Sequence, residues 1–315
     1  MAKQIFRVSN WHQYNKSLVQ RGSINFWFEG DITKFWCHKE PAVKERGGQP
    51  IYTDAAIKAC LIVRSKYNLT LRETQGFIQS IFDMQGINLK CPNYTIICKR
   101  AQVLDIDIDR YLAQGATDVA FDSTGFKIYG EGEWKVRQHG VSKRRTWVKL
   151  HLGVDSNTQQ ILACATTTNS VTDAKVLPQL LSQITQPINI VTADGAYDQR
   201  ECYKAITRKK AIPVIPPRRD AVISNDPDLV VRDFVLNYIN KLGGDEDARK
   251  AWKKDSRYHR RSLSETAMFR LKQIFSSQLR SRKLSSQGVE LKIRVSMLNK
   301  MTANGMPKSY VVPTI

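Results

Sequence analysis

The feature that most constrains the fold is a change of hydrophobic period in the middle of the chain. Over residues 147–154, Val, Leu, Leu and Val alternate with Trp, Lys and His, which is the period of a half-buried β-strand. One short apolar run precedes this segment at residues 119–121, and another follows a polar turn at residues 161–167. The pattern predicts three consecutive strands that pair antiparallel.

Two more strands follow, and each comes after a helix. The first helix has apolar residues at helical spacing, namely Leu177, Leu180, Leu181 and Ile184. A strand at residues 188–193, a helix near residues 198–208 and a strand at residues 212–215 complete the series. The order β-β-β-α-β-α-β predicts an α/β fold, with a mixed five-stranded sheet and helices on its faces.

The chain is expected to divide into three regions. A helical region covers residues 1–115, the α/β region covers residues 116–300, and a C-terminal tail covers residues 301–315. Residues 220–255 are polar, contain a predicted helix at residues 227–242 and are interpreted as an insertion within the α/β region.

The N-terminal region is predicted to be all-α. Thr70 and Glu73 have the spacing of a capping box at the start of a helix, and a short basic helix from Tyr94 to Leu104 carries Lys99 and Arg100. Short successive helices with a basic third member are typical of a helix-turn-helix-like DNA-binding module. An ordinary helical bundle is the alternative that this pattern leaves open.

The charge of the chain predicts a polyanionic partner. Lys and Arg number 49 against 29 Asp and Glu, which gives a formal net charge of +20. The last sixty residues hold only two acids, Glu265 and Glu290. Such an excess points to nucleic acid and less often to an acidic membrane. The cluster Lys143, Arg144 and Arg145 fits either a contact to phosphate or a solvated loop.

Other classes of protein are not expected. The chain has no apolar run long enough to span a membrane, and its first residues lack the apolar core of a signal peptide. Its six cysteines form no CxxC pair, so a zinc site is not expected. We expect a soluble cytoplasmic protein with reduced thiols.

Two aspartates lie at predicted strand ends, where ligands gather in mixed sheets. Asp122 follows the first strand and Asp194 follows the fourth. If those strands are neighbours, the two carboxylates face each other at one edge of the sheet. Hard oxygen ligands of this kind suit Mg²⁺, and a pair of such ions can promote attack on a phosphodiester. Each aspartate also fits an ordinary turn sequence.

A third carboxylate lies in the last strongly predicted helix. Tyr258, Arg261, Glu265 and Lys272 are spaced so that they share one polar stripe of a helix. A lone carboxylate among cations suits a position opposite a metal ion and a phosphate backbone. The alternatives are a solvated helix face, or a capping box in which Ser262 is the N-cap and Glu265 is at N3.

These residues resemble the DDE transposases of bacterial insertion sequences. The helix stripe is similar to the Tyr-x2-Arg-x3-Glu-x6-Lys signature of that group. Asp122 and Asp194 resemble its first and second Asp motifs, in FDSTGFKIYGEGEWK and TADGAYD. The chain also resembles insertion-sequence family five, especially its kanamycin-transposon branch. The segments NWHQYNKSLVQRGSINFWF and LTLRETQGFIQSIFDMQG are similar to the N-terminal region of that family.

The resemblance implies a ribonuclease-H-like catalytic domain with Asp122, Asp194 and Glu265 as catalytic and metal-ligating residues. The cofactor is expected to be two Mg²⁺ ions, with Mn²⁺ as a substitute. Double-stranded DNA, as terminal inverted repeats and target, is the expected partner. DNA contacts are expected from Tyr258, Arg261, Lys272, Lys99, Arg100 and the cluster Lys143, Arg144 and Arg145. A homo-oligomer, at least a dimer, is expected in a bacterial cytoplasm, associated with the nucleoid.

Two other functions remain open at the level of sequence. A metal-dependent nuclease could cut DNA without joining it. A non-catalytic DNA-binding regulator could descend from an inactive element, although the presence of all three acids argues against this.

Overall fold

A computed structural model of the chain describes residues 5–28, 30–38, 51–112, 114–128 and 147–312. None of the helices in these ranges is long and apolar enough to cross a membrane.

A five-stranded mixed sheet forms the centre of the molecule. Its strands are β2 (Thr117–Lys127), β3 (Trp147–Asp155), β4 (Ile161–Thr168), β5 (Ile188–Thr192) and β6 (Ile212–Val214). They lie in the order β4-β3-β2-β5-β6. β2, β3 and β4 pair antiparallel, whereas β5 is parallel to both β2 and β6. The predicted α/β class, the number of strands and the three-stranded antiparallel start are confirmed.

Helices cover both faces of this sheet. The helices α6 (Asp173–Ser182) and α7 (Arg200–Arg208) pack with Val119 and Phe121 of β2 in one hydrophobic core. The opposite face carries α10 (Ser262–Phe275) and α11 (Leu284–Asn304), which share a second core with Phe126. Since side chains alternate along a strand, the even-numbered residues of β2 lie on the side of α10.

The predicted insertion consists mainly of two helices. A 3₁₀ turn at Pro227–Leu229 leads into α8 (Val230–Lys241), which is followed by α9 (Glu246–Asp255). These helices form a small core around Trp252 and Ile239 that also includes Val214 of β6. The helix predicted at residues 227–242 is therefore present, and its first turn is 3₁₀.

The N-terminal region is mostly helical but not all-α. It contains α1 (Trp11–Gln20), α2 (Ile32–Phe35), α3 (Asp54–Lys66), α4 (Leu71–Met84) and α5 (Tyr94–Val103). The capping box of α4 is confirmed, with Thr70 and Glu73 making both reciprocal hydrogen bonds.

The all-α prediction is wrong at the start of the chain. Residues Ile5–Val8 form strand β1, which pairs antiparallel with β7 (Ser309–Val312). The strand was missed because its partner lies at the other end of the sequence. The expected tail from residue 301 therefore begins inside α11, which ends at Asn304, and its residues Ser309–Val312 then form β7.

One hydrophobic core joins the N-terminal helices to the sheet. Ile57 of α3 and Ile97 of α5 are fully buried in the same cluster as Leu291 of α11 and Leu152 of β3. The proposed boundary at residue 115 therefore does not separate two independent cores.

Asn299 of α11 ties that core together through the backbone. Its buried amide accepts a 2.8 Å hydrogen bond from the N–H of Ile161, and it donates 2.8 Å hydrogen bonds to the carbonyls of Ile161 and Asp109. A single side chain thus fixes α11 to the start of β4 and to the segment that leads into β2.

We expect Asn299→Ala to lower the free energy of unfolding by about 2–4 kcal/mol, because it leaves buried backbone groups without partners. Denaturant titration measures the change. The control is Asn240→Ala on the exposed side of α8, which should change it by less than about 0.5 kcal/mol. Equal effects of the two substitutions would contradict the role of Asn299.

Candidate active site

Asp122 and Asp194 both lie beyond the paired part of two neighbouring parallel strands. The pairing of β2 with β5 ends at Ala120 and Thr192. Asp122 is two residues further along β2, and Asp194 is two residues past the end of β5. The condition set by the sequence, that the two strands be neighbours, is met. β2 does not end at Asp122, however, because it continues to Lys127 along β3. Asp122 marks the point where β2 and β5 separate.

Asp122 is largely buried and is contacted by one cation. Its carboxylate accepts hydrogen bonds from the Ser123 N–H at 2.8 Å and from the Arg261 guanidinium at 2.7 Å. Burial raises the pKa of Asp122, and the nearby carboxylates of Asp194 and Glu265 add to that rise. The Ser123 N–H and Arg261 oppose it. Asp194 and Glu265 therefore both act electrostatically on Asp122.

Asp194 also has a local structural role. It is the N-cap of the 3₁₀ turn at Gly195–Tyr197, and its side chain accepts a 2.9 Å hydrogen bond from the Ala196 N–H. The interpretation of Asp194 as a turn residue is thus correct. It is compatible with a second role, because the turn holds the carboxylate beside Asp122.

Glu265 reaches the same place from α10. Arg261 is the last residue of a 3₁₀ turn that continues directly into this helix, and its guanidinium contacts both Asp122 and Glu265. Just over half of the Glu265 side chain is exposed, at 54%. Arg261 therefore bridges the first strand motif and the helix motif.

The capping-box interpretation of Ser262 and Glu265 is wrong. Because the 3₁₀ turn runs into α10 without a break, Ser262 is already helical, and the N-cap residue Arg261 makes no capping hydrogen bond with its side chain. Glu265 pairs with Arg261 instead.

Tyr258 and Lys272 complete the polar stripe toward β2. The Lys272 ammonium donates a 2.5 Å hydrogen bond to the Thr124 hydroxyl, and burial lowers the pKa of Lys272. The Tyr258 ring lies 5.9 Å from the Arg261 guanidinium, and burial raises the pKa of its hydroxyl. The four residues predicted to share a face do so, and Arg261 and Lys272 bind side chains of β2.

Lys99 and Arg100 are carried by α5 and not by the strands and helix of this site. Arg100 pairs with Asp54 and donates a 3.0 Å hydrogen bond to the Tyr52 carbonyl, so it attaches α5 to α3. Lys99 is exposed. The cluster Lys143, Arg144 and Arg145 lies outside the described residues.

Sequence reasoning missed Arg260. Its guanidinium donates a 2.8 Å hydrogen bond to Asp118 and a 3.1 Å bond to the Ser156 carbonyl. These contacts fasten the 3₁₀ turn to the start of β2 and to the β3–β4 turn. The adjacent pair Arg260-Arg261 was the available signal, but the helix spacing selected only the second arginine.

His151 lies behind the site rather than in it. It pairs in register with Ser123, so it points to the opposite face of the sheet from Asp122. Its Nε2 is 2.8 Å from the Thr167 hydroxyl, and burial lowers its pKa to about 4. A neutral, buried imidazole on that face indicates a structural role.

A mixed sheet with two carboxylates beside its parallel strands, and a third on a covering helix, is consistent with the ribonuclease-H-like fold of DNA-processing enzymes. Residues 113–300 match a family model described as "Transposase DDE domain", and residues 19–131 match a second model of the same description. The first match alone spans well over half of the chain. The chain belongs to the DDE transposase family.

We expect Ser262→Ala to change the free energy of unfolding by less than about 0.5 kcal/mol, since the hydroxyl makes no cap. Thr70→Ala, which removes the capping box of α4, should cost about 1 kcal/mol. Thermal or denaturant unfolding of both variants compares them directly. A similar loss in each would restore the capping interpretation of Ser262.

Proposed function

We propose that this protein is a cut-and-join DNA transposase. The observation that carries the proposal is that Arg261 contacts both Asp122 and Glu265, with Asp194 just past the end of the neighbouring strand β5, in a chain of the DDE transposase family. Water attacks a phosphodiester at the end of the element, and the freed 3′-hydroxyl then attacks target DNA in line. The substrates are the terminal inverted repeats of an insertion sequence and a target duplex. The branch is insertion-sequence family five.

The three carboxylates suit a divalent cation by the chemistry of their donors. All supply hard oxygens, and the pKa of Asp122 is raised in part by the other two acids, so a cation among them is favoured. Among the described residues, no group of three or more His, Cys, Asp or Glu side chains is close enough to hold a metal ion. Arg261 lies between two of the acids and supplies the positive charge there.

With Arg261 displaced from its two carboxylate partners, Asp122, Asp194 and Glu265 would close around two Mg²⁺ ions, for which Mn²⁺ can substitute. When bound, such ions lower the pKa of the attacking water and stabilise the leaving oxygen.

The residues around the acids orient the DNA. Arg261 has a planar fork of donors that suits a phosphate, and it can exchange its carboxylate partners for the scissile phosphate. Lys272 supplies a second positive charge next to Thr124, and Tyr258 presents an aromatic face beside Arg261.

The remaining parts of the proposal concern recognition and assembly. Residues 1–115, with Lys99 and the cluster at Lys143, contribute contacts to DNA, and Arg100 supports α5. At least two copies of the chain bring the element ends together in the bacterial cytoplasm, on the nucleoid.

We expect Asp122→Asn, Asp194→Asn and Glu265→Gln each to lower end cleavage on the order of a thousandfold or more, because each removes a charged ligand with little change of shape. Cleavage is measured on a plasmid that carries the gene with its flanking DNA, and binding to the same DNA should persist. The control is Glu201→Gln on the exposed face of α7. Cleavage by a site variant at the parent rate would remove that residue from the site.

Two further outcomes separate the alternative functions. Cleavage without joining of the 3′ ends to target DNA would indicate a nuclease. DNA binding without cleavage at any Mg²⁺ or Mn²⁺ concentration would indicate a regulator.

We expect Mg²⁺ to raise the melting temperature of the parent protein more than that of Glu265→Gln, since a bound ion stabilises only the folded state that holds it. A fluorescence melting curve with increasing Mg²⁺, with Ca²⁺ as a second ion, measures the difference. Identical shifts in parent and variant would exclude Glu265 as a ligand.

A further inference from the structure

A strongly basic cleft lies away from the three acids, where the N-terminal helices meet the loop between α10 and α11. It has a volume of about 410 Å³. Five cations from α3, α4 and this loop line it, namely Arg64, Arg72, Arg280, Arg282 and Lys283. No Asp or Glu is among the described residues that line the cleft.

Three cations of the cleft, Arg72, Arg280 and Lys283, contact uncharged groups. Arg280 donates a 2.7 Å hydrogen bond to the Asn68 side chain, and Lys283 donates a 2.8 Å bond to that of Gln102. Arg72 stacks over the Tyr94 ring at 4.4 Å. These partners are uncharged, so they orient the side chains and leave their charge available to an anion.

Two carboxylates lie near the cleft, and both are already engaged. Glu290 is buried and accepts hydrogen bonds from Arg294 and from the backbone N–H groups of Arg280 and Ser281. Glu73 is used by the capping box of α4. The positive charge of the cleft therefore exceeds the negative charge around it.

Arg64 is the most buried cation of the cleft. It is only 9% exposed, and its Nε has no hydrogen-bond partner among the described residues. Burial lowers the pKa of Arg64. The first turn of α11, a helix of 21 residues whose N-cap Lys283 makes no side-chain cap, borders the same cleft at Ser286. An anion in the cleft would lie close to both the buried guanidinium and the N-terminal end of this helix, which favour negative charge.

The cleft is connected to the acids through β2. The N–H of Lys127, at the end of β2, donates a 2.9 Å hydrogen bond to the Ser277 carbonyl, and the Leu279 N–H donates a 2.8 Å bond back to the Lys127 carbonyl. Arg280 is the next residue. Asp122 and Lys127 are five positions apart along the strand, a distance of about 17 Å. The same distance corresponds to about five base-pair steps of DNA at 3.4 Å each.

We propose that this cleft binds the sugar–phosphate backbone of duplex DNA within about one helical turn of the phosphodiester held at Asp122. The inference rests on the proposed transposase function and adds to it a binding surface built jointly by the N-terminal helices and the loop after α10. Phosphate is the group recognised, and the contact is independent of base sequence.

Cys98 provides a direct test, because it lines the cleft and is the exposed cysteine of the chain. Alkylation of the full-length protein by N-ethylmaleimide is followed by mass spectrometry, with and without a saturating duplex of about three helical turns. DNA should slow the modification of Cys98 several-fold and leave that of the half-buried Cys37 unchanged. Equal modification of Cys98 with and without DNA would overturn the proposal, as would equal protection by inorganic phosphate at matched ionic strength.

The salt dependence of DNA binding gives an independent readout. The variant Arg72→Gln/Arg280→Gln/Lys283→Gln should reduce the slope of log K against log salt by about 3, at roughly 0.9 per lost phosphate contact. The matched control is Lys175→Gln/Lys204→Gln/Arg208→Gln, which removes the same charge from α6 and α7 on the opposite face of the sheet and should reduce the slope much less. Equal slopes for the two variants would overturn the proposal.

Two checks keep these results interpretable. Melting temperatures show whether the two triple variants are folded. If the cleft variant is not folded, the single variant Arg72→Gln, at an exposed position, replaces it. If the parent protein binds no duplex, the proposed function fails together with the cleft. If the parent binds and cleaves DNA but Cys98 is not protected, only the cleft inference fails.

Discussion

The carboxylates of Asp122, Asp194 and Glu265 lie around strand β2, and the rest of this structure depends on how their negative charge is offset there. β2 has a hydrogen-bonded strand on each side, so Asp122 points into one of only two faces, and on its own face α10 covers it. Burial and the neighbouring acids oppose the charge of Asp122, as the rise of its pKa shows. Arg261 offsets this by contacting Asp122 and Glu265 together, which couples the position of α10 to the sheet. A cation at this place, from the protein or from solution, is therefore part of what holds the site together.

The same strand links the acids to the rest of the chain. Its far end is hydrogen-bonded to the loop after α10, and that loop contributes cations to the cleft shared with the N-terminal helices. α11 runs through the common core and attaches to β4 through Asn299. The N-terminal helices and the sheet therefore pack as one body, and the cleft has a fixed position relative to the three acids.

Much of the fold follows from local sequence pattern. The alternating residues at 147–154 and the apolar spacing from Leu177 gave the right type and order of elements, because strand and helix periods are properties of a few consecutive residues. The stripe from Tyr258 to Lys272 was found for the same reason, since its members lie on one continuous turn and helix. Errors arose where a local pattern is compatible with two structures. The sequence at Ser262 fits an N-cap, but the 3₁₀ turn before it continues directly into the helix, so Ser262 is itself helical and makes no cap.

By itself, then, the sequence determined the α/β class and the order of strands and helices, and it singled out Asp122, Asp194 and Glu265 as candidate acids. Only the tertiary structure decided that β2 and β5 are parallel neighbours, that Arg261 joins Asp122 to Glu265, and that β1 pairs with β7. Arg261 and Asp122 are 139 residues apart, and Arg64 and Ser281 are 217 apart. Such contacts depend on how distant segments pack around a common core, and no period within a single segment carries that information.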